Sequence, residues 1–180
     1  MQTWRQRLAA VLEWSVVDKS ILLMVVLMAV LAFYILAMVY TLGRPDREAL
    51  VDVAYTRELL SIEIGLVCGA MLIVAAGFGL RRERPDFLPL QHLATQYYTL
   101  ALVLCSYYVG TMTFCTGVVL LGAPVFGFIL LERRVVWYAT VAGMISLLGL
   151  SYATGFGLLP YAPVVVPPAD TASNLFWMNA

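Results

Sequence analysis

The sequence predicts an all-α, polytopic transmembrane helical bundle with five complete spans and the start of a sixth, and three observations lead there. Of 180 residues, 62% are hydrophobic and 12% charged, against about 45–50% and about 25% in ordinary soluble domains, which leaves too little polar surface to cover a water-facing globule. The charges are clustered, and no Asp, Glu, Lys or Arg occurs between Asp86 and Glu132. Between the clusters the apolar runs reach the roughly 20 residues with which a helix, rising about 1.5 Å per residue, crosses a hydrocarbon core of about 30 Å.

Residues 1–19 form a leader. Trp4, Leu8, Val11 and Leu12 share one helical face there, which predicts a short amphipathic helix lying in the cytoplasmic interface. The early, short apolar core and the small-residue cleavage site of a secretory signal are not evident. Residues 20–180 form the transmembrane domain. Its first span is 20–42, SILLMVVLMAVLAFYILAMVYTL, stopped by Gly43 and Pro45. GRPDREALVDVAYTRE, with three arginines against four acids, leads to a second span over 59–80, interrupted only by Glu63.

After RRERPDF, the neutral stretch 88–131 has room for two spans, about 91–109 and 111–131. The turn between them is expected in YVGTMTFCTG, where Gly110, the threonines and Gly117 form that stretch's cluster of small and hydroxyl residues. Pro124 removes one internal hydrogen bond from the fourth span and predicts a kink, with Gly122 and Gly127 letting a neighbouring helix approach. The fifth span is 135–158. PYAPVVVPPADTASN, carrying four prolines, is expected to be an extended outer loop. LFWMNA opens a sixth span at about residue 175 and suggests that the chain is a fragment, because so short an apolar segment has no stable end in water or lipid.

Basic residues set the orientation. Arg5, Arg7 and Lys19 precede the first span, Arg81, Arg82 and Arg84 follow the second, and Arg133 and Arg134 separate the fourth from the fifth. An even number of crossings, two or four, separates the first group from the others and brings all three to one side, so the N-terminus is expected in the cytoplasm of a bacterial cell, with the spans in its inner membrane. The topology determinants are Arg81, Arg82, Arg84, Arg133 and Arg134. Net charge is zero, and short membrane-flanking arginine groups lack the basic density of a nucleic-acid surface, so nucleic acid is not an expected partner.

Glu63 is the one charged residue well inside a span. A carboxylate there costs several kcal/mol unless it is protonated or partnered, which makes it a sensing candidate; interfacial water or Arg57 could also satisfy it. Tyr107 and Tyr108, and likewise Tyr97 and Tyr98, bracket the third span, as amphipathic rings at the two bilayer interfaces do. A possible ligand or signal site groups Glu63, Tyr107, Tyr108 and Pro124. His92 stands alone, and Cys68, Cys105 and Cys115 sit in apolar runs without a CxxC pair, so no metal site is expected and the cysteines read as small packing residues. GFGL occurs twice, at Gly77–Gly79 and Gly155–Gly157. Without a preceding strand or a lysine it is no phosphate loop, and close helix packing accounts for it better.

QYYTLALVLCSYYVGTMTFCTGVVLLGAPVFGFILLERRVVWYA and LGLSYATGFGLLPYAPVVVPP resemble the N-terminal multi-span membrane (sensory) regions that precede the cytoplasmic GGDEF domain of bacterial diguanylate cyclases. The similarity covers roughly residues 90–180, while residues 1–89 match in span layout alone. It implies six spans, a homodimer, and a small-molecule or membrane signal passed to a catalytic domain that makes cyclic di-GMP from GTP with Mg. That family's signature of two glycines, two acids and Phe is absent, so no catalytic residue carries over and no cofactor is expected in this chain. The sequence also fits a small transporter or channel subunit, the membrane sensor of a histidine kinase or adenylate cyclase, or a ligand-free anchor.

Overall fold

The structure is a computed structural model that describes residues 13–110 and 114–165. The expected leader helix over Trp4–Leu12 and the sixth span from about residue 175 lie outside the described residues. Among the described residues six helices follow one another: α1 (Val16–Leu42), the single turn α2 (Arg47–Leu50), α3 (Val53–Glu83), α4 (Leu88–Val109), α5 (Phe114–Leu130) and α6 (Arg133–Gly155). No strand forms among the described residues; one isolated antiparallel bridge joins Val51 to Val165.

The helix ends are chemically specified. Ser15 caps α1, its Oγ accepting from the Asp18 N–H at 3.1 Å, and Asp52 caps α3, its Oδ1 accepting from Ala54 and Tyr55 at 2.9 and 3.1 Å. Pro89 stands in the first turn of α4, where a missing N–H costs nothing. Gly110, at φ 121°, ends α4 in the expected turn, in a backbone region that favours glycine. Gly157, at φ 72°, reverses the chain after α6, and the Leu158 N–H donates back to the Ala153 carbonyl at 2.9 Å. That closure ends the helix at Gly155, three residues short of the expected boundary at 158.

The long helices alternate in direction. At one end Arg81 Nε lies 2.7 Å from Asp18 Oδ1, the Val17 N–H donates to the Pro85 carbonyl at 3.0 Å, and the His92 and Tyr138 rings are 6.2 Å apart. Arg81, Arg82, Arg84, Arg133 and Arg134 therefore share this end of the bundle. The opposite end carries the exposed Arg44–Asp46 pair at 2.7 Å. Hydrogen bonding to the Arg44 guanidinium holds the Asp46 carboxyl below the usual carboxylate range, so this pair's contribution is present above that range and fades as acid protonates Asp46.

Five complete spans are expected from the sequence; three are supported. Helices α1, α3 and α6, of 27, 31 and 23 residues, are long and apolar enough to cross a membrane. Helix α4 has the length, but Gln91, His92, Gln96, its threonines and its tyrosines dilute its apolarity. Helix α5 has 17 residues, about 26 Å at 1.5 Å per residue, short of a core of about 30 Å. Fewer than a third of the residues in the most apolar stretch of α1, α3 and α6 are buried. Phe33, Leu72, Phe126 and Ile145 are each at least 65% exposed, which fits a membrane protein.

Helix α1 lies mainly on α3, and α4 touches α1, α3 and α6, whereas α5 rests on α6. One core cluster joins Met24, Leu27 and Leu31 of α1 to Leu66, Ala70 and Ile73 of α3 and Ala94 and Ala101 of α4, at helical three- and four-residue spacing. A second, at the other end, gathers Met38, Leu59, Tyr108 and Val164. Of the GFGL glycines, Gly77 is in close packing, a Cβ there meeting Ile21 at 2.7 Å, while Gly79 and Gly155 face open space. Gly69 admits the Tyr97 hydroxyl, which donates to the Leu66 carbonyl at 2.9 Å.

Gly69→Ala is expected to displace Tyr97 and lower stability in detergent by about 1–3 kcal/mol, read as a fall in the thermal midpoint. Tyr97→Phe in the same chain should restore part of it, and Gly65→Ala, with open space at its Cβ, should change little.

Candidate functional site

Helix α4 organises the site because it presents two stripes to different neighbours. Tyr97, Cys105 and Tyr108 meet α3: Tyr97 through the Leu66 carbonyl, Cys105 through Glu63, and Tyr108 through Glu58. Thr95, Tyr98, Thr99, Leu102 and Ser106 lie on a second stripe and face a cavity bounded by α1, α5 and α6. Both stripes follow three- and four-residue steps, so neither interrupts the helix.

Glu63 is fully buried. Its Oε1 lies 3.8 Å from Cys105 Sγ, the thiol acting as a weak donor, and its Oε2 has no hydrogen-bond partner among the described residues. Along α3 it falls between Leu59 of one hydrophobic cluster and Leu66 of the other. It thus forms a polar layer where a carboxyl oxygen faces apolar surroundings. The alternative partner Arg57 is exposed on the same helix and takes no part in this layer. An unpartnered buried acceptor is costly, and such groups in a native fold are explained by function or by a group that comes to meet them.

Tyr107 and Tyr108 stand nearer the end opposite the arginines. Their rings meet edge to face, with centroids 5.2 Å apart at 73°, and Tyr108 Oη donates to Glu58 Oε1 at 2.9 Å. The outer loop closes over this pair. Val164 is buried with Met38, Leu59 and Tyr108; its N–H donates to the Tyr108 carbonyl at 3.2 Å, and its carbonyl accepts from the Asp52 N–H at 3.0 Å. The loop following α6 is therefore tied at once to the start of α3 and the end of α4.

Pro124 lies in α5 and lines the cavity, which Glu63 does not line. The four residues grouped as a possible signal site thus occupy three places: the Glu63 layer, the Tyr107–Tyr108 cap and the lateral cavity. Of the topology arginines, Arg81 is paired with Asp18, and Arg82, Arg84, Arg133 and Arg134 are exposed. The His92 ring lies beside that of Tyr138, tilted at 42°. No group of three or more His, Cys, Asp or Glu that could hold a metal forms among the described residues.

Sequence reasoning missed Cys105 as the partner of Glu63, Glu58 as the acceptor for Tyr108, and the Tyr98 face of α4. The antiparallel register of α3 and α4 was the signal that could have found the first two: advancing from Glu58 to Glu63 on one helix corresponds to retreating from Tyr108 to Cys105 on the other. Comparison with family models, with curated proteins and with solved structures found no match for this chain.

Replacing Glu63 by Leu removes an unsatisfied oxygen from an apolar layer. The thermal midpoint in detergent is expected to stay level or rise, since exchanging a poorly satisfied buried polar group for an apolar one of similar size is neutral or stabilising. Tyr108→Phe, which removes the hydroxyl's bond to Glu58 while keeping the ring and the backbone bond to Val164, is expected to cost about 1 kcal/mol by the same measurement.

Proposed function

We propose that this chain is the membrane-embedded sensory or anchoring module of a bacterial diguanylate cyclase. It crosses the inner membrane five times and begins a sixth crossing, and it controls a cytoplasmic GGDEF domain outside these 180 residues. GTP and Mg belong to that domain. The observation that carries a sensory role is Glu63: a fully buried carboxyl with one oxygen unpartnered among the described residues, held in a layer between two hydrophobic clusters, is a place where protonation or a ligand would alter packing. The resemblance over residues 90–180 supplies the choice of output.

Two further observations support the topology. Arg81, Arg82, Arg84, Arg133 and Arg134 lie at one end of the bundle, as a cytoplasmic side requires, while Arg44, Arg47 and Arg57 at the other end are outnumbered by Asp46, Glu48, Asp52 and Glu58. Helix α4, too polar by composition alone, buries Gln91, Thr95 and Ser106 against its neighbours, so its polar groups need not face lipid. Signal would pass through the loop that ties Asp52, Tyr108 and Val164, since the chain continues from that loop toward the sixth crossing, and a shift in helix packing would alter how two copies of the output domain meet.

A small transporter or channel subunit is the second reading, favoured by the same Glu63; it requires polar groups at several depths along one path. Flux through the reconstituted 180-residue chain would select it.

In the full-length protein, Glu63→Gln is expected to change the signal-dependent cyclic di-GMP level by about fivefold or more, a coupling of about 1 kcal/mol, with the basal level and the amount of protein in the membrane retained. Reporter tags after Arg82 and Arg134 should be cytoplasmic and a tag in the Pro160–Val165 loop periplasmic. Reversed tags, or a downstream sequence with no GGDEF domain, would defeat the proposal.

A further inference from the structure

The cavity beside α4 has a volume of about 520 Å³, within the roughly 300–1,000 Å³ of small-molecule pockets. Along α4 it extends from Thr95 to Ser106, roughly 16 Å at 1.5 Å per residue. Its walls are built to be apolar. Of its five hydroxyl-bearing lining residues, the three threonines are turned to their own helices, leaving Tyr98 and Ser106: Thr95 donates to the Gln91 carbonyl at 2.7 Å, Thr99 to the Thr95 carbonyl at 3.0 Å and Thr140 to the Val136 carbonyl at 2.8 Å. Those threonines have spent their donors on these bonds, so their protons are not offered to the cavity.

Small residues hold the space open. A Cβ at Gly127 or Gly143 would press on Val136 or Thr99 at 3.0 Å, so these glycines set how closely the helices approach, whereas Gly122 borders the cavity with nothing within 4 Å of its Cβ position. Because α5 rests on α6 rather than on α1, the cavity opens sideways between α1 and α5, toward the surface that carries the exposed Val26 and Phe126. Its one charged lining residue, Lys19, stands at the arginine-bearing end.

We infer that this cavity is a lipid site: it takes an acyl chain of an anionic phospholipid, with the headgroup at Lys19. A long donor-poor apolar slot open to the hydrocarbon, with a cation at one end, is complementary in both shape and charge to such an amphiphile. The inference rests on the membrane reading of the bundle and not on the identity of any output domain, and its test reads binding to this chain alone.

The purified chain, washed free of lipid in mild detergent, is titrated with palmitoyl-oleoyl phosphatidylglycerol, phosphatidylcholine or free oleate and read by native mass spectrometry. One phosphatidylglycerol is expected to bind about fivefold more tightly than phosphatidylcholine, the ratio for one lysine near an anionic surface, and Lys19→Gln should bring that ratio near unity. Gly122→Leu places a side chain in the slot and should weaken phosphatidylglycerol binding by about tenfold or more. Gly149→Leu, which also has open space at its Cβ but does not line the cavity, should bind as the parent does. Where Gly122→Leu loses its helix content, Ala123→Phe serves instead. Equal binding of phosphatidylglycerol by the slot-filled and parent chains, equal binding of all three probes, or no bound lipid in the parent because the segment after residue 165 or a second copy fills the cavity, would each overturn the inference.

Discussion

The constraint on which the rest of this structure depends is that a chain with so few charges has to satisfy its polar groups internally. Backbone groups do so by forming helices, whose hydrogen bonds close within each segment. Side-chain groups do so by sorting: charges to the two ends, tyrosines and threonines onto faces of α4 that other helices cover. Helix α4, whose composition falls short of a membrane-crossing helix, is also the one packed on three of the other four long helices. Its polarity and its central place go together, because neighbouring helices cover Gln91, Thr95 and Ser106.

Packing follows from the same constraint. In hydrocarbon, apolar burial supplies little drive for helix association, so close fit and a few hydrogen bonds decide which helices meet. Gly69 and Gly77 bring α3 against α4 and α1, and Tyr97 then reaches the Leu66 carbonyl. The cap at the other end uses backbone as well: Val164 bonds to Tyr108 and Asp52, so a loop containing prolines becomes part of the bundle rather than a tether. Glu63 sits between these two well-made regions, in the one layer where a carboxyl oxygen has no partner among the described residues.

The sequence made the apolar helices legible because their charge gaps are long: the ends of α1 at Gly43 and of α4 at Gly110 fall where the stop signals stand. It counts five spans where three helices meet both length and apolarity, because counting apolar residues treats a helix as uniform. Length limits α5, and the side chains of α4 have to be assigned to faces before its suitability for a bilayer can be judged. Glu63 was legible as an anomaly, a charge where none belongs. Its surroundings were not, because Cys105 comes near it only through the antiparallel register of α3 and α4. Pro124 was legible as a helix irregularity, but its place beside the Tyr98 face of α4 depends on how α5 leans on α6.

The sequence by itself determined that the chain forms long apolar helices with basic groups gathered at alternate connections, because helix propensity, hydrophobic run length and charge spacing are local properties of the chain. Only the tertiary structure decided which face of α4 meets α3, that Glu63 faces Cys105 rather than Arg57, and that a slot ending at Lys19 opens between α1 and α5. Those outcomes depend on register and on glycine-permitted approach between segments distant in sequence, where a displacement of one turn would pair different residues.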